Sequence, residues 1–214
     1  RWNLPPDTID CVLGSNVATP THAVNPTRVA AVTGGLPVTI PADTVAGKNC
    51  GSGVAALYYG SLRIRSGDAD SVLVLGMEAM SRIPVSYDHA VAKLLFQFGK
   101  ARNLRDRVAG ALALFPALLN LKKYPPRVGI VLGLTDPMCD LIMGLTAENI
   151  AKDPALGITR EDQDAFAVRS HRRAAQAWKD GIFADEVVPM YVPEKSAYVA
   201  RDNGIREDAS QEAF

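Results

Sequence analysis

Residues 42–76 read ADTVAGKNCGSGVAALYYGSLRIRSGDADSVLVLG, and this stretch decides the fold. Ala42 to Ala46 is a short strand-forming run. Gly47-Lys48-Asn49-Cys50-Gly51-Ser52-Gly53 is too rich in glycine and polar residues to extend it and predicts a sharp connection. From about Val54 to Arg65 the sequence predicts a helix, closed by Gly67. Ser71 to Leu75 is a continuous apolar run, which predicts a strand buried on both faces. Strand, helix and strand in this order form one unit of a parallel sheet with a helical crossover.

The same rhythm extends upstream. Thr8 to Val17 (TIDCVLGSNV) reads as a strand that runs into a loop rich in glycine and asparagine. A helix then opens with Asn25 as N-cap and Pro26 at the first helical position, and Gly34-Gly35 end it. Together these elements predict an α/β fold with a mostly parallel sheet.

Downstream of Ser81 the rhythm stops. Residues 90–126, AVAKLLFQFGKARNLRDRVAGALALFPALLNLKKYPP, are apolar and basic. Leu94, Leu95, Phe98, Leu104, Val108, Leu112 and Phe115 fall near helical spacing, with Lys93, Lys100, Arg102, Arg105 and Arg107 between them. Pro116, Pro125 and Pro126 are expected to cut the stretch into pieces. Met143 to Lys152 predicts a helix. Thr159 with Asp162 three residues on is a capping signal for a long helix to about Lys179, which Gly181 ends. Asp185 to Val192 predicts an extended edge segment, since Pro189 denies it a central place in a sheet.

Composition narrows the classes. The 214 residues are 48% hydrophobic and 21% charged, which is ordinary for a soluble globular chain. Lys and Arg number 23, as do Asp and Glu, so no basic excess points to nucleic acid. No run of about 18 uncharged apolar residues suggests a spanning helix, and no signal peptide is visible. Three widely spaced cysteines with no CxxC pair argue against a disulfide framework or a cysteine zinc site, and fit a reducing compartment. A cytoplasmic location is expected, or a mitochondrial or peroxisomal one in a eukaryote. Opening at Arg1 and stopping at Phe214 after a polar, helix-starting stretch, the chain reads as a piece of a longer protein.

Cys50 stands where a strand meets a helix, with glycines that allow a tight turn and close backbone approach. A residue at a helix N-terminus meets the positive end of the dipole and free backbone N–H groups. Both stabilise negative charge, so a cysteine there is a better nucleophile, and the same N–H groups can hold an oxyanion. A small buried hydrophobe in a glycine turn is the competing reading, and Cys-Gly-Ser-Gly alone does not separate the two.

Five blocks, in order, resemble the thiolase family. Asn25-Pro26-Thr27-Arg28 followed by Gly35-Leu36-Pro37 is similar to its N-P-x-R…G-L-P helix. Cys50-Gly51-Ser52-Gly53, Ile64 to Gly67 and Asp70 resemble its nucleophile region. Gly76-Met77-Glu78-Ala79-Met80-Ser81 resembles its G-x-E-x-M-S block. Met143-Gly144-Leu145-Thr146-Ala147-Glu148-Asn149 resembles M-G-x-T-A-E-N. Asp162 to His171 with Asp185-Glu186-Val187-Val188-Pro189 resembles D-x-x-A-x-x-S-H…D-E-I-V-P. These blocks favour a true thiolase over the condensing synthases of the same fold.

The resemblance implies the N-terminal half of a thiolase: a mostly parallel mixed sheet with helices on both faces, carrying an inserted, largely helical loop domain. On that reading residues 1–83 are the nucleophile-bearing core and 84–214 the acyl-CoA-binding insertion. The implied chemistry is cleavage of 3-ketoacyl-CoA by CoA, or the reverse condensation, with Cys50 carrying the acyl group. It implies no metal and no cofactor, coenzyme A being a substrate. Met143 would line the acyl pocket and Arg206 would approach the CoA phosphates. The family's G-H-P histidine and C-x-G-G-G cysteine have no counterpart here, so the stretch by itself is expected to be inactive. A truncated, non-catalytic module that binds acyl-CoA or docks a partner is the alternative.

Three departures weaken a biosynthetic reading: Gly47 replaces a common Asn, Leu75 the first glycine of G-G-x-E, and Ile142 a histidine. The basic stretch and Asp202-Asn203-Gly204-Ile205-Arg206 instead resemble the thiolase subunit of trifunctional β-oxidation complexes. The expected partners are acyl-CoA and CoA, a second copy of the chain, and, through residues 93–123, either a β-oxidation α subunit or an anionic membrane surface. His171 reads as structural. Glu78 reads as a residue that packs or hydrogen-bonds near the nucleophile, with no catalytic role assigned.

Overall fold

The computed structural model describes residues 4–210. By packing, the chain divides between Leu134 and Thr135 into two units.

The first unit is built on three parallel strands. β1 (Cys11–Ser15) lies between β2 (Ala42–Val45) and β3 (Val72–Gly76), with Leu13 opposite both Asp43 and Val74. Side chains alternate across the sheet with period two. Val12 and Ala42 face α1 (Pro26–Thr33), where Ala31, Ile40, Leu36 and Leu75 complete a small core. Residues of the other parity face α2 (Ser52–Ser66), whose Gly60 lies against Val72 and Val74. Helices therefore cover both faces, as expected. The fully buried strand is β1, not β3. β3 pairs on one side only and Leu73 is 38% exposed, so the apolar run at 71–75 marks an edge strand among the described residues.

Local signals place α1 as its caps predict. The Asn25 side chain accepts from the N–H of Arg28 and donates to the carbonyl of Ala42, which fixes the helix start to β2. Thr27 is fully buried and shares a 2.7 Å hydrogen bond with Thr44. Its side chain fills the space over Gly14, where any Cβ would collide with it. Gly67 closes α2 with φ 78°, the left-handed conformation that glycine adopts without strain.

After β3 come β4 (Val85–Ser86), α3 (His89–Lys100), α4 (Leu104–Leu119), β5 (Arg127–Val128) and α5 (Gly129–Leu134). β4 and β5 pair antiparallel. α3 and α4 pack through Val91, Leu114 and Ala117, with Leu94, Leu118 and Tyr124 around them. Phe98 closes on Gly110. The break between these helices falls at Ala101–Asn103, where Asn103 caps α4. Pro116 does not cut the stretch, contrary to expectation; it lies inside α4. Its ring costs the helix one hydrogen bond, to the carbonyl of Leu112, and that turn is open to solvent.

The second unit holds α6 (Met143–Ala151), α7 (Arg160–Lys179) and a hairpin of β6 (Met190–Val192) with β7 (Ala197–Val199). Thr159 and Asp162 form the expected capping box at the start of α7, and Gly181 follows its end with φ 73°. The extended segment predicted over 185–192 is shorter than expected. Ile182–Asp185 is a 3-10 turn, and only Met190–Val192 is strand. Phe183 stacks on Trp178 at 5.2 Å, so packing against α7 curls the chain there. Among the described residues no helix is long and apolar enough to cross a membrane.

Candidate active site

Cys50 lies in a one-turn 3-10 helix, Asn49–Gly51, that leads straight into α2. Two left-handed residues make the turn: Gly47 with φ 77° and Asn49 with φ 47°. Glycine and asparagine are the residues that tolerate this region. The N–H of Gly51 returns to the carbonyl of Lys48 at 3.0 Å. Among the described residues no side chain caps the start of α2. The N–H of Ser52, the first residue of α2, is taken by the carbonyl of Asn49, and the positive end of the helix dipole favours negative charge at this point.

The thiol is exposed. Cys50 is therefore not a buried hydrophobe in a glycine turn. The buried cysteine is Cys11 on β1, and Cys139 is exposed in the second unit. Cys50 borders a groove of about 370 Å³ whose walls include Val17, Met80, Ile83, Ile130 and Leu134. An exposed sulfur thus adjoins an apolar groove. Gly129 also lines it, where a Cβ would collide with the Pro84 carbonyl oxygen and come within 2.7 Å of Ile83.

On its polar side Cys50 borders a second recess, of about 410 Å³, with Asn16, Asn49, Ser52 and Glu78. Ser52 is 2% exposed, yet its hydroxyl has no hydrogen-bond partner among the described residues; the same is true of the buried side-chain oxygen of Asn16. Buried polar atoms without partners are costly, and both belong to the wall of this recess.

Glu78 is the residue whose role the sequence left open. Its Oε2 accepts from the N–H of Val17 at 2.9 Å and of Ala18 at 3.3 Å. Its Oε1 accepts from Nδ2 of Asn16 at 3.2 Å and from its own neighbour's N–H, Ala79, at 3.3 Å. Asn16 in turn donates to the carbonyl of Met77 at 2.9 Å. The loop leaving β1 is thereby tied to the end of β3, beside Cys50. Sequence reasoning missed Asn16 and α5. Asn16 follows a strand end and α5 is six residues long, and neither carries a local signal of function.

The other two residues singled out by sequence belong to the second unit. Met143 is the first residue of α6 and is 48% exposed. Arg206 is exposed in the loop after β7, and its backbone N–H donates to Nδ1 of His171 at 3.1 Å. His171 therefore holds the Arg206 loop to α7.

Comparison with known proteins gives a consistent picture. The family model described as thiolase, N-terminal domain, matches residues 1–214. A probable acetyl-CoA acyltransferase of Staphylococcus aureus strain COL is 36% identical over 212 residues, 98% of this chain and 47% of the relative. Its counterpart in strain NCTC 8325 is 35% identical with the same coverage. Among solved structures, the acetyl-CoA acetyltransferase of Bacillus anthracis superposes with a TM-score of 0.78 at 28% identity, covering 98% of this chain and 47% of the other. Human mitochondrial 3-ketoacyl-CoA thiolase in complex with CoA gives 0.76 at 28% identity, with 98% and 46% covered. The chain spans about half the length of the relatives it matches.

Proposed function

The chain belongs to the thiolase family, and on that premise we propose that it is the nucleophile-bearing half of an enzyme that cleaves 3-ketoacyl-CoA in fatty-acid β-oxidation. The observation that carries the proposal is an exposed Cys50 just before the start of α2, on the border of an apolar groove. In this reading the Cys50 sulfur attacks the 3-keto carbonyl. The C2–C3 bond breaks, and the acetyl-CoA enolate leaves and takes up a proton. The thiol of a second CoA then displaces Cys50 from the acyl thioester, giving a shortened acyl-CoA and the free cysteine. CoA is a substrate, and no resident cofactor is needed. The positive end of the α2 dipole suits the oxyanion that forms on the attacked carbonyl.

Residues 1–214 contain neither a G-H-P nor a C-x-G-G-G motif, so we assign the base and the acid/base cysteine to the half of the relatives that this chain does not span. The stretch alone is expected not to turn over. Residues 84–214 would supply the acyl-CoA-binding part, with Met143 at the acyl chain and Arg206 at the CoA phosphates, and a second copy of the chain would complete a homodimer.

Peptide-resolved mass spectrometry after incubation with a 3-ketoacyl-CoA tests this. The full-length protein should carry an acyl adduct on Cys50, and Cys50→Ser should abolish both adduct and thiolysis. Thiolysis that survives Cys50→Ser overturns the proposal. Tight CoA binding with no adduct would favour the alternative, a non-catalytic acyl-CoA-binding module.

A further inference from the structure

We propose that Glu78 is a positioning residue: its carboxylate holds residues 16–18 as a wall of the groove at Cys50, and so sets that cysteine's preference for reactants with an apolar tail. The proposal rests on the reading of Cys50 as the nucleophile.

All four groups that meet the carboxylate are donors: Nδ2 of Asn16 and the N–H of Ala79 at Oε1, and the N–H groups of Val17 and Ala18 at Oε2. A carboxylate is the one side-chain group of this length that presents acceptors at both ends. Glutamine presents an oxygen at one end and an NH2 at the other, so either orientation sets a donor against two donors. Aspartate is one methylene shorter and cannot span from β3 to the loop. The role is therefore specific to glutamate.

The loop so held is functional wall rather than remote scaffold. Val17 and Ala18 line the groove together with Cys50, and Glu78 itself borders both the groove and the polar recess. Residues 17 and 18 lack regular secondary structure, so their position relative to Cys50 depends on these hydrogen bonds and on the tie from Asn16 to Met77. Release of the loop would remove Val17 from the apolar wall without touching the turn that carries the thiol.

The test is a selectivity measurement on the chain itself. Cys50 is alkylated with iodoacetamide and, separately, with N-octyl iodoacetamide, and each rate is read by peptide mass spectrometry. Exposed Cys139 in the second unit serves as the internal reference. The parent should favour the octyl reagent at Cys50 relative to Cys139. Glu78→Gln should lower that preference roughly tenfold, the factor that one good net hydrogen bond commands, with the iodoacetamide rate at Cys50 within about twofold of the parent. Parent selectivity equal at the two cysteines, an unchanged preference in Glu78→Gln, or equal changes in both rates would each overturn the proposal. If Glu78→Gln does not fold, Asn16→Ala is judged by the same criteria, since it removes one donor to the carboxylate and the tie to Met77. Octyl selectivity that depends on Glu78 while no 3-ketoacyl-CoA acylates Cys50 in the full-length protein would overturn the function proposed above and leave the groove assignment standing.

Discussion

The backbone N–H of Arg206 donates to Nδ1 of His171, 35 residues earlier, at 3.1 Å. One residue on, Nε of Arg172 donates to the carbonyl of Ala209 at 3.2 Å. Two adjacent residues of α7 thus hold the loop at 206–209, whose Ala209 is buried. His171→Ala should free the first point and leave the second. The expected cost in stability is about 0.5–1.5 kcal/mol, the net value of one hydrogen bond. Hydrogen exchange should quicken at the amides of 204–206 while those around 209 keep their protection. In the full-length protein, CoA should bind more weakly if Arg206 approaches its phosphates; unchanged affinity would remove that role from the loop.

The apolar, basic stretch of α3 and α4 gives a second prediction. α3 and α4 turn Val91 and Leu114 inward, and Phe98 packs on Gly110, so these residues serve folding. Phe96, Leu112 and Phe115 are 70%, 72% and 59% exposed, close in sequence to Lys100, Arg102, Arg105 and Arg107. If the stretch meets an anionic membrane, the parent should float with vesicles rich in phosphatidylserine and release as salt rises. Changing Phe96, Leu112 and Phe115 together to Ser should abolish flotation without loss of helicity. Equal flotation with neutral vesicles would argue against the basic residues as the attracting element.

What could be read from the sequence was mostly local. Asn25 with Pro26, Thr159 with Asp162, and Gly67 and Gly181 act within one turn of themselves, and the structure places each where its chemistry predicts. Cys50 at the strand-to-helix connection was legible for the same reason. The errors arose where neighbours distant in sequence decide. Composition made β3 look doubly buried, but strand order put β1 in the centre. Pro116 looked like a breaker, yet packing through Leu114 and Ala117 carries α4 past it. The network around Glu78 joins residues some 60 positions apart, and the His171–Arg206 bond spans 35, so neither leaves a mark in any short window.

Gly14 provides a test of the sheet's interior. A methyl group there would lie 2.7 Å from Cγ2 of Thr27, and Thr27 cannot yield because it is fully buried and bonded to Thr44. Gly14→Ala should cost about 1–3 kcal/mol or somewhat more by overpacking. Thr27→Ala removes the two closest atoms, Oγ1 and Cγ2, and leaves only Cβ at 2.9 Å, so the double variant should be less destabilised than the sum of the two single ones. Urea unfolding of the four proteins measures this coupling. Strict additivity would mean that the clash is absorbed elsewhere, by a shift of α1 away from β1.

Asp10 ties the start of β1 to the turn before β3, and its effect should depend on pH. Its carboxylate accepts from the N–H groups of Ser71 and Asp70, both at 2.8 Å. These bonds, that of Ser71 foremost, hold its pKa below the ordinary aspartate value. A carboxyl whose pKa is lowered by folding stabilises the native state when ionised. The contribution is fully present above the unfolded value of about 4 and is lost as pH falls through the lower folded value. Asp10→Asn should therefore be less stable than the parent at neutral pH, with a gap that narrows as the pH is taken below about 4. The group is fully solvent-accessible, so the gap should be small. Denaturant midpoints for both proteins across this acid range decide the matter: a gap that widens in acid would show that the carboxylate is not the acceptor that joins the two strands.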